Sequence, residues 1–445
     1  MADLKTVAPV LGAELVGENV TFTSVSTDTR TIQPGDLFVA LLGPNFDGHN
    51  YIKKAKEKAA VAAIVSKDVQ VDLPRLHVEN TRTALGKLAG YHRDQFDLPI
   101  VAITGSCGKT TTKTMVASIL NQEAKTLSSL KSLNNDIGVP LTLLRLTNEH
   151  KYAVVEMGAN HPGEIKYLTL IAKPKVAMIN NIAPAHLEGF GSVKGVASAK
   201  AEIFEGLVDD GVAVVNADDE YAGFIKERVG DHEVITYGIQ NNADIVARNV
   251  LMDDSGYPSF TLIKNNDRAE IRLSVIGEHN VMNALAAAAV TTALGFDLNQ
   301  IKSGLENMEP VDMRLIRRDG KNNSVIFDDT YNANPLSFDA ALRVLARSKS
   351  DKILVIGDMG ELGSNAEKYH EEIGVKAKNL GINKLFAVGE MSRLAVDAFG
   401  SGGRHFASHE FLIRALTDCL KSGVSILVKG SRKAQMENVV KAVVS

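Results

Sequence analysis

The sequence predicts an α/β protein of three domains: a small α/β N-terminal domain, a central phosphate-loop domain with a parallel sheet and a small antiparallel patch, and a C-terminal α/β domain. Three observations predict it. Short, continuous apolar runs alternate with helical patterns, as expected of strands buried on both faces of a parallel sheet. A Gly-Lys-Thr loop joins one such run to a helix. The length, 445 residues, corresponds to three domains at roughly 150 residues each.

The first domain spans residues 1–80. Apolar runs at Leu37–Leu42 and Val61–Val65 lie between turn signals at Pro34-Gly35-Asp36 and Asp47-Gly48-His49. The run Lys53–Lys58 reads as a solvated helix face. Thr81–Arg93 reads as a helix with Leu85, Leu88 and Ala89 on one face, placed to bridge into the second domain, 81–313. There, Ile100–Thr104, Ala153–Glu156, Val176–Asn180 and Val212–Asn216 read as parallel strands. Between Ile245 and Val275 the pattern alternates around a Ser255-Gly256 turn, which predicts the antiparallel patch. An Ala-rich helix follows from about Asn280 to Leu294. In the third domain, 314–445, Val325–Asp328, Ile353–Gly357, Leu385–Val388 and Ile426–Val428 alternate with helices, a Rossmann-like pattern.

Composition narrows the function. Hydrophobic residues make up 45% and charged residues 23%, which is ordinary globular usage and excludes collagen-like or disordered classes. With 49 Lys and Arg against 53 Asp and Glu, the net charge is −4, so nucleic acid is not an expected partner. Aromatics at 5% and the lack of Trp argue against base-stacking platforms. Two Cys cannot build a disulfide framework, which points to a reducing, cytoplasmic setting. The first twenty residues carry no basic leader pattern, and Ala284–Leu294 is too short to span a bilayer. A soluble monomer without stable membrane association is expected.

The strongest chemical signal is Val101–Lys113, VAITGSCGKTTTK. Gly105 and Gly108 let backbone N–H groups approach phosphate, and the helix N-terminus favours the anion. Lys109 reaches the β- and γ-phosphates, and Thr110 offers an oxygen to Mg²⁺. The common pattern places Gly at position 103, where this chain has Ile103, so the loop is a shortened variant. Cys107 reads as a small residue tolerated within it. Glu156 ends a strand, and in open parallel sheets ligands gather at carboxyl strand ends; with Thr110 it supplies hard oxygen ligands. His186, in APAHLEGFG, follows another strand end and reads as readily as a structural histidine. Lys200 alone reads as a solvated helix lysine. Asn280 and Asn283 share a helix face, with capping the simpler reading of Asn280. Asp328-Asp329-Thr330-Tyr331-Asn332-Ala333-Asn334-Pro335 is a polar cluster at a strand end, a site or a turn.

Together, TGSCGKTT, the Glu156-Met-Gly-Ala run, His186, Lys200, HNVMN and the Asp328-Asp329 cluster resemble the Mur ligases. These are ATP-dependent amide-bond synthetases of peptidoglycan precursor assembly, related to folylpolyglutamate synthetases. The resemblance runs essentially end to end. STDTRTIQPGDLFVALLG with the later DGH, SLNNDIGVPLTLL, DDTYNANP, GDMGELG and LVKGSR are similar to the branch that adds D-Ala-D-Ala to a UDP-N-acetylmuramoyl-tripeptide; the Asp-Asn-Pro-Arg of the diaminopimelate- or lysine-adding branch is absent. The chain departs from many relatives at Met313, where they have Gly before the arginine.

The resemblance implies roles residue by residue. Gly105, Ser106, Cys107, Gly108, Lys109, Thr110 and Thr111 would hold the ATP phosphates. Thr110 and Glu156 would hold one Mg²⁺. His186 and Lys200, the latter as a carbamate, would serve a second. Asn280, Asn283, Arg314 and Asp329 would seat ATP between the second and third domains. Ser26, Thr27, Asp28, Thr29, Arg30, Gly43, Asp47, Gly48 and His49 would hold the UDP end, with Asn134 and Asn135 toward the peptide. Lys109, Glu156, His186 and Lys200 form the expected catalytic group, and hinged closure would bring the domains together. A folylpolyglutamate-type ligase and a phosphate-loop ATPase switch are the alternatives.

Overall fold

The computed structural model describes residues 2–130 and 133–445. Ser132, the first residue of the SLNNDIGVPLTLL segment, lies outside the described residues. The N-terminal sheet has five strands in the order Glu14–Val16, Arg75–His77, Ala62–Val65, Asp36–Val39, Ser24–Ser26. The first pairs antiparallel and the other three pairings are parallel. Asp36–Val39 and Ala62–Val65 are buried along their whole length, which is why both appear in the sequence as unbroken apolar runs.

The central sheet has nine strands. Its parallel part runs Thr126–Ser128, Tyr152–Glu156, Ile100–Thr104, Val176–Ile179, Val212–Asn216, Glu233–Gly238. Ile245–Met252 adds parallel to Glu233–Gly238, and Pro258–Lys264 and Asp267–Arg272 follow antiparallel. The turn between Ile245–Met252 and Pro258–Lys264 passes through Gly256, at φ +86°. The third domain has six strands, in the order Ile316–Asp319, Val325–Asp329, Val424–Lys429, Asp351–Gly357, Lys384–Val388, Gly403–Phe406, all parallel except the first. Thr126–Ser128, Glu233–Gly238, Ile316–Asp319 and Gly403–Phe406 were not expected from the sequence. They lie at sheet edges or have exposed positions along them, so their apolar signal is diluted.

Helix Thr81–Arg93 starts at Asn80, whose side chain accepts from the N–H groups of Arg82 and Thr83. That satisfies two orphan donors of the first turn. Its buried Leu85, Leu88 and Ala89 join one apolar core that includes Leu4, Leu37 and Ile64 on one side and Ile100, Ala102 and Val155 on the other. The bridge is therefore a continuous core. The opposite face of the central sheet is covered by helices Lys109–Leu120 and His279–Ala293. Ala284, Ala286, Ala287, Ala288 and Ala289 are all fully buried, and their small side chains let this helix lie close to the phosphate-loop helix and the strands beneath.

Close packing of alanines leaves no room for growth. Ala287→Leu is expected to destabilise the protein by about 1–3 kcal/mol through overpacking, measured as a lower midpoint in urea unfolding.

Candidate active site

Register places the chemistry. Ile103 pairs with Glu156 on one side and with Met178 on the other. The three parallel strands thus end together, and the phosphate loop, Glu156 and the Asn180–His186 segment emerge at one sheet edge. The loop is pinned there by polar bonds. Ser106 Oγ donates to the Ala183 carbonyl at 3.0 Å and accepts from its N–H at 2.9 Å. The Cys107 N–H donates to Asn181 Oδ1 at 2.8 Å, and Asn180 Nδ2 donates to the Cys107 carbonyl at 2.8 Å. Gly108 stands at φ +76°, where a side chain would collide with Asn180 and Asn283. Glycine is required there by backbone and by space.

Lys109 Nζ donates to the Gly105 carbonyl at 2.6 Å, and burial lowers its pKa. Thr110 Oγ1 donates to Glu156 Oε2 at 2.9 Å, and Asn134 Nδ2 donates to Glu156 Oε1 at 2.8 Å. Glu156 itself is buried. Lys113, one helical turn beyond Lys109, is also buried, 3.8 Å from Glu156, and donates to the Ser129 carbonyl at 2.8 Å. Its role was missed in the sequence, although the i, i+4 spacing from Lys109 puts both on one helix face.

From the third domain comes Arg314. Its Nη2 donates to Thr110 Oγ1 at 3.2 Å, and its guanidinium lies 3.9 Å from the Tyr331 ring centroid, a cation–π contact. Met313 and Leu315 on either side hold φ of +60° and +54°. A left-handed backbone at 313 is the conformation glycine adopts without strain, so a Gly there, as the resemblance implies for relatives, would fit this backbone. Asp329 accepts from buried Lys429 at 2.6 Å. Asn334 caps helix Pro335–Arg347, and its Nδ2 lies 3.0 Å from Cys107 Sγ. Asn280 does not cap its helix; its side chain donates to the Ile276 carbonyl and accepts from Asn283.

These groups line a single cavity of about 880 Å³ between the second and third domains. Ser106 to Thr111, Asn134, Asn135, Glu156, His186, Lys200, Asn280, Asn283, Arg314 and Asp329 all face it. Gly105 lies behind the loop, against Asn180. The first-domain candidates do not line this cavity. Thr27–Arg30 follow the carboxyl end of Ser24–Ser26, and Gly43 and Asp47–His49 follow that of Asp36–Val39, at one edge of their own sheet. There, Asp28 pairs with Arg30 at 2.6 Å. His49 Nδ1 donates to Asp47 at 2.7 Å while its Nε2 accepts from the Ser66 N–H at 2.9 Å. Lys67 pairs with Asp47 at 2.8 Å and pulls its carboxyl far below the usual carboxylate range.

Lys200 is 2% exposed and has no hydrogen-bond or ion-pair partner among the described residues. Glu202, the acid nearest in sequence, accepts instead from the Gly163 and Lys166 N–H groups. Burial pushes the Lys200 amine well below the ordinary lysine range, and nearby Lys109 pushes the same way. Burial also holds His186 below its usual value, with Lys109 and Lys200 acting against the raising effect of Glu361. No three His, Cys, Asp or Glu side chains among the described residues make a metal cage. Mg²⁺ commonly takes one or two protein oxygens and completes its shell with phosphate and water. Thr110 with Glu156 fits one such site. His186 offers one ring nitrogen beside the Lys200 amine, and neither supplies an oxygen ligand.

A phosphate loop facing an arginine from another domain defines a nucleotide-using enzyme whose active site two domains share. The chain belongs to the Mur ligase family. It matches the Mur ligase family catalytic domain over residues 21–93, the Mur ligase middle domain over 103–291 and the Mur ligase glutamate ligase domain over 313–432. It is 44% identical over 442 residues to the UDP-N-acetylmuramoyl-tripeptide–D-alanyl-D-alanine ligase of Escherichia coli K12, covering 99% of this chain and 97% of that one. A crystal structure of MurF from Acinetobacter baumannii superposes with a TM-score of 0.92 at 36% identity, over 99% and 98% of the two chains. MurF ligase from Thermotoga maritima in complex with ADP superposes with 0.83 at 28%, over 94% and 96%.

Lys109 would supply charge where phosphoryl transfer develops it. Lys109→Ala is expected to lower turnover by on the order of 10²–10³ with the fold intact, measured as ADP release alongside circular dichroism.

Proposed function

We infer that this protein is the ligase that joins D-Ala-D-Ala to a UDP-N-acetylmuramoyl-tripeptide at the expense of ATP, in peptidoglycan precursor synthesis in the cytoplasm. The observation that carries the reading is the cavity itself. It sets a phosphate loop, a strand-end carboxylate and a partnerless buried lysine opposite Arg314 and Asp329 of a second domain. Near-full-length identity to the E. coli ligase supports the acceptor and donor. No described helix is long and apolar enough to cross a membrane.

A carboxylate is a poor electrophile, because its leaving group is oxide. In the reading proposed here, the tripeptide's terminal carboxylate oxygen attacks the γ-phosphorus of ATP, the bond to the β-phosphate oxygen breaks, and ADP leaves. The product is an acyl phosphate. The D-Ala-D-Ala amine adds to its carbonyl carbon and loses a proton. The tetrahedral intermediate then expels phosphate, leaving the amide. Two anions must meet in the first step. The loop N–H groups and Lys109 offset that repulsion on one side of the cavity and Arg314 does so on the other. Seating of the third domain aligns the reactants and keeps water from the acyl phosphate. Asn134 ties the segment that follows Lys131–Ser132 to Glu156, so the peptide side of the cavity and the metal carboxylate are held in one network. The UDP end belongs at the carboxyl edge of the first sheet, where Ser26–Arg30, Gly43 and Asp47–His49 gather.

Thr110 and Glu156 would hold one Mg²⁺, and His186 with Lys200 a second; the cations supply charge neutralisation for phosphoryl transfer. For Lys200 to take part, its neutral amine adds CO₂, releasing a proton and forming a carbamate with two oxygen acceptors. Burial favours the neutral form of the Lys200 amine, the form that adds CO₂.

Two measurements test the reading. ADP release should require both the UDP-sugar tripeptide and D-Ala-D-Ala; steady release with neither present would instead identify an ATPase switch. Lys200→Ala should lose most activity, and millimolar formate should restore part of it by occupying the carbamate position. Full activity in Lys200→Ala would refute the carbamate.

A further inference from the structure

One side chain holds both backbone groups of a single phosphate-loop residue. Asn181 follows strand Val176–Ile179. Its Oδ1 accepts from the Cys107 N–H at 2.8 Å, and its Nδ2 donates to the Cys107 carbonyl at 3.2 Å. Its own carbonyl accepts from the Ser106 N–H at 3.0 Å. Asn181 thus meets Cys107 as a neighbouring strand would, with an acceptor and a donor side by side. A carboxamide offers that pair in one plane and without charge. Its orientation is fixed by the partners, since a backbone N–H only donates and a carbonyl only accepts. Asn180 Nδ2 gives the Cys107 carbonyl a second donor at 2.8 Å. The clamp is anchored in turn. The Asn180 carbonyl accepts from the hydroxyl of fully buried Tyr237 at 2.9 Å, and the Ile182 N–H donates to Asp219 at 2.7 Å.

Across a trans peptide the carbonyl and the following N–H point in opposite directions. With the Cys107 carbonyl held by Asn180 and Asn181, the Gly108 N–H is turned away from them, and Gly108 borders the cavity. A flip of this peptide would set an oxygen against the phosphates instead. The loop's donors divide accordingly. The Ser106 and Cys107 N–H groups are spent on Asn181. The Thr112 N–H donates to the Gly108 carbonyl at 2.9 Å, so the N–H groups of Gly108, Lys109, Thr110 and Thr111 precede the first helical bond and have no partner within the helix. We propose that Asn181 is a positioning residue for the nucleotide: by holding both backbone groups of Cys107 it locks the Cys107–Gly108 peptide with its N–H toward the phosphates, and the phosphate cradle is formed by the N–H groups of residues 108–111 and not by those of 106 and 107. The proposal rests on the reading of the cavity as the ATP site.

The test uses the full-length protein with ADP as the probe. In amide spectra of the ¹⁵N-labelled wild type, the Gly108 proton should move downfield when ADP is added, as a new hydrogen bond to an anion requires. The Ser106 and Cys107 amides should be protected from solvent exchange before and after. Asn181→Leu, similar in size and uncharged, removes the donor and the acceptor. It should weaken ADP by about tenfold or more, cancel the Gly108 shift and open the Cys107 amide to exchange. In turnover, the KM for ATP should rise while that for D-Ala-D-Ala stays, a split that a general loss of packing would not produce. Unchanged ADP affinity in folded Asn181→Leu overturns the proposal. So does a wild-type spectrum in which the Ser106 or Cys107 proton moves downfield in place of Gly108, a result that needs no variant to fold. The two levels separate cleanly. A wild type that does not bind ADP removes the ATP-site reading and the proposal with it; ADP binding with the Gly108 shift but no ligation sinks the ligase reading and supports the proposal.

Discussion

The turn from strand Ile100–Thr104 into helix Lys109–Leu120 constrains everything around it. The loop is fastened to the next strand's exit by Ser106, Asn180 and Asn181, and Gly108 is pressed against Asn180 and Asn283. Because Asn283 belongs to the Ala-rich helix, the position of that helix is set by the same contact. Its row of buried alanines follows from the need to come close. The loop's backbone donors are thereby held in place by the core before any phosphate arrives, which is how preorganised groups stabilise developing charge without reorganising.

The electrostatic design follows from burial. Lys109, Lys113 and Lys200 cluster with few carboxylates, and burial lowers the pKa of each. In a low-dielectric pocket such a cluster is costly unless anions or neutralisation compensate. Glu156 stands beside Lys113, triphosphate would compensate for Lys109, and burial favours the neutral form of Lys200. The lysines are thus alike in chemistry and unlike in task, each set by its neighbours.

Much of this was legible in the sequence. The central parallel strands of the second and third domains were read to within a residue or two because burial on both faces leaves uninterrupted Val, Ile and Ala, whereas Thr126–Ser128, Glu233–Gly238 and Gly403–Phe406 were not. The phosphate loop, Glu156 and the Asp328–Pro335 cluster were found because strand ends mark ligand edges. What escaped detection depends on contacts between distant segments. Lys113 looked like one more helix lysine, although its spacing from Lys109 was available. Glu361 stood in a quoted motif, and only the third domain's placement brings it to His186. Edge strands such as Gly403–Phe406 carry too little apolar signal. Lys200 read alone as solvated, and only its burial among apolar helix neighbours reverses that.

The two domain seams are unlike each other. The first is an unbroken apolar core running from Leu4 through Leu85 to Ile100. The second combines a small apolar contact at Ile276 and Tyr257 with polar bridges, among them Arg347–Glu278 and Lys349–Asp254 at the surface. Apolar cores resist separation, whereas exposed ion pairs contribute little and exchange readily with water and salt. Mechanically, the protein is a heavy anvil of two fused domains and a light hammer. The first sheet's carboxyl edge is joined to the phosphate-loop domain through packed side chains, whereas the third domain meets it across contacts that water and salt can replace.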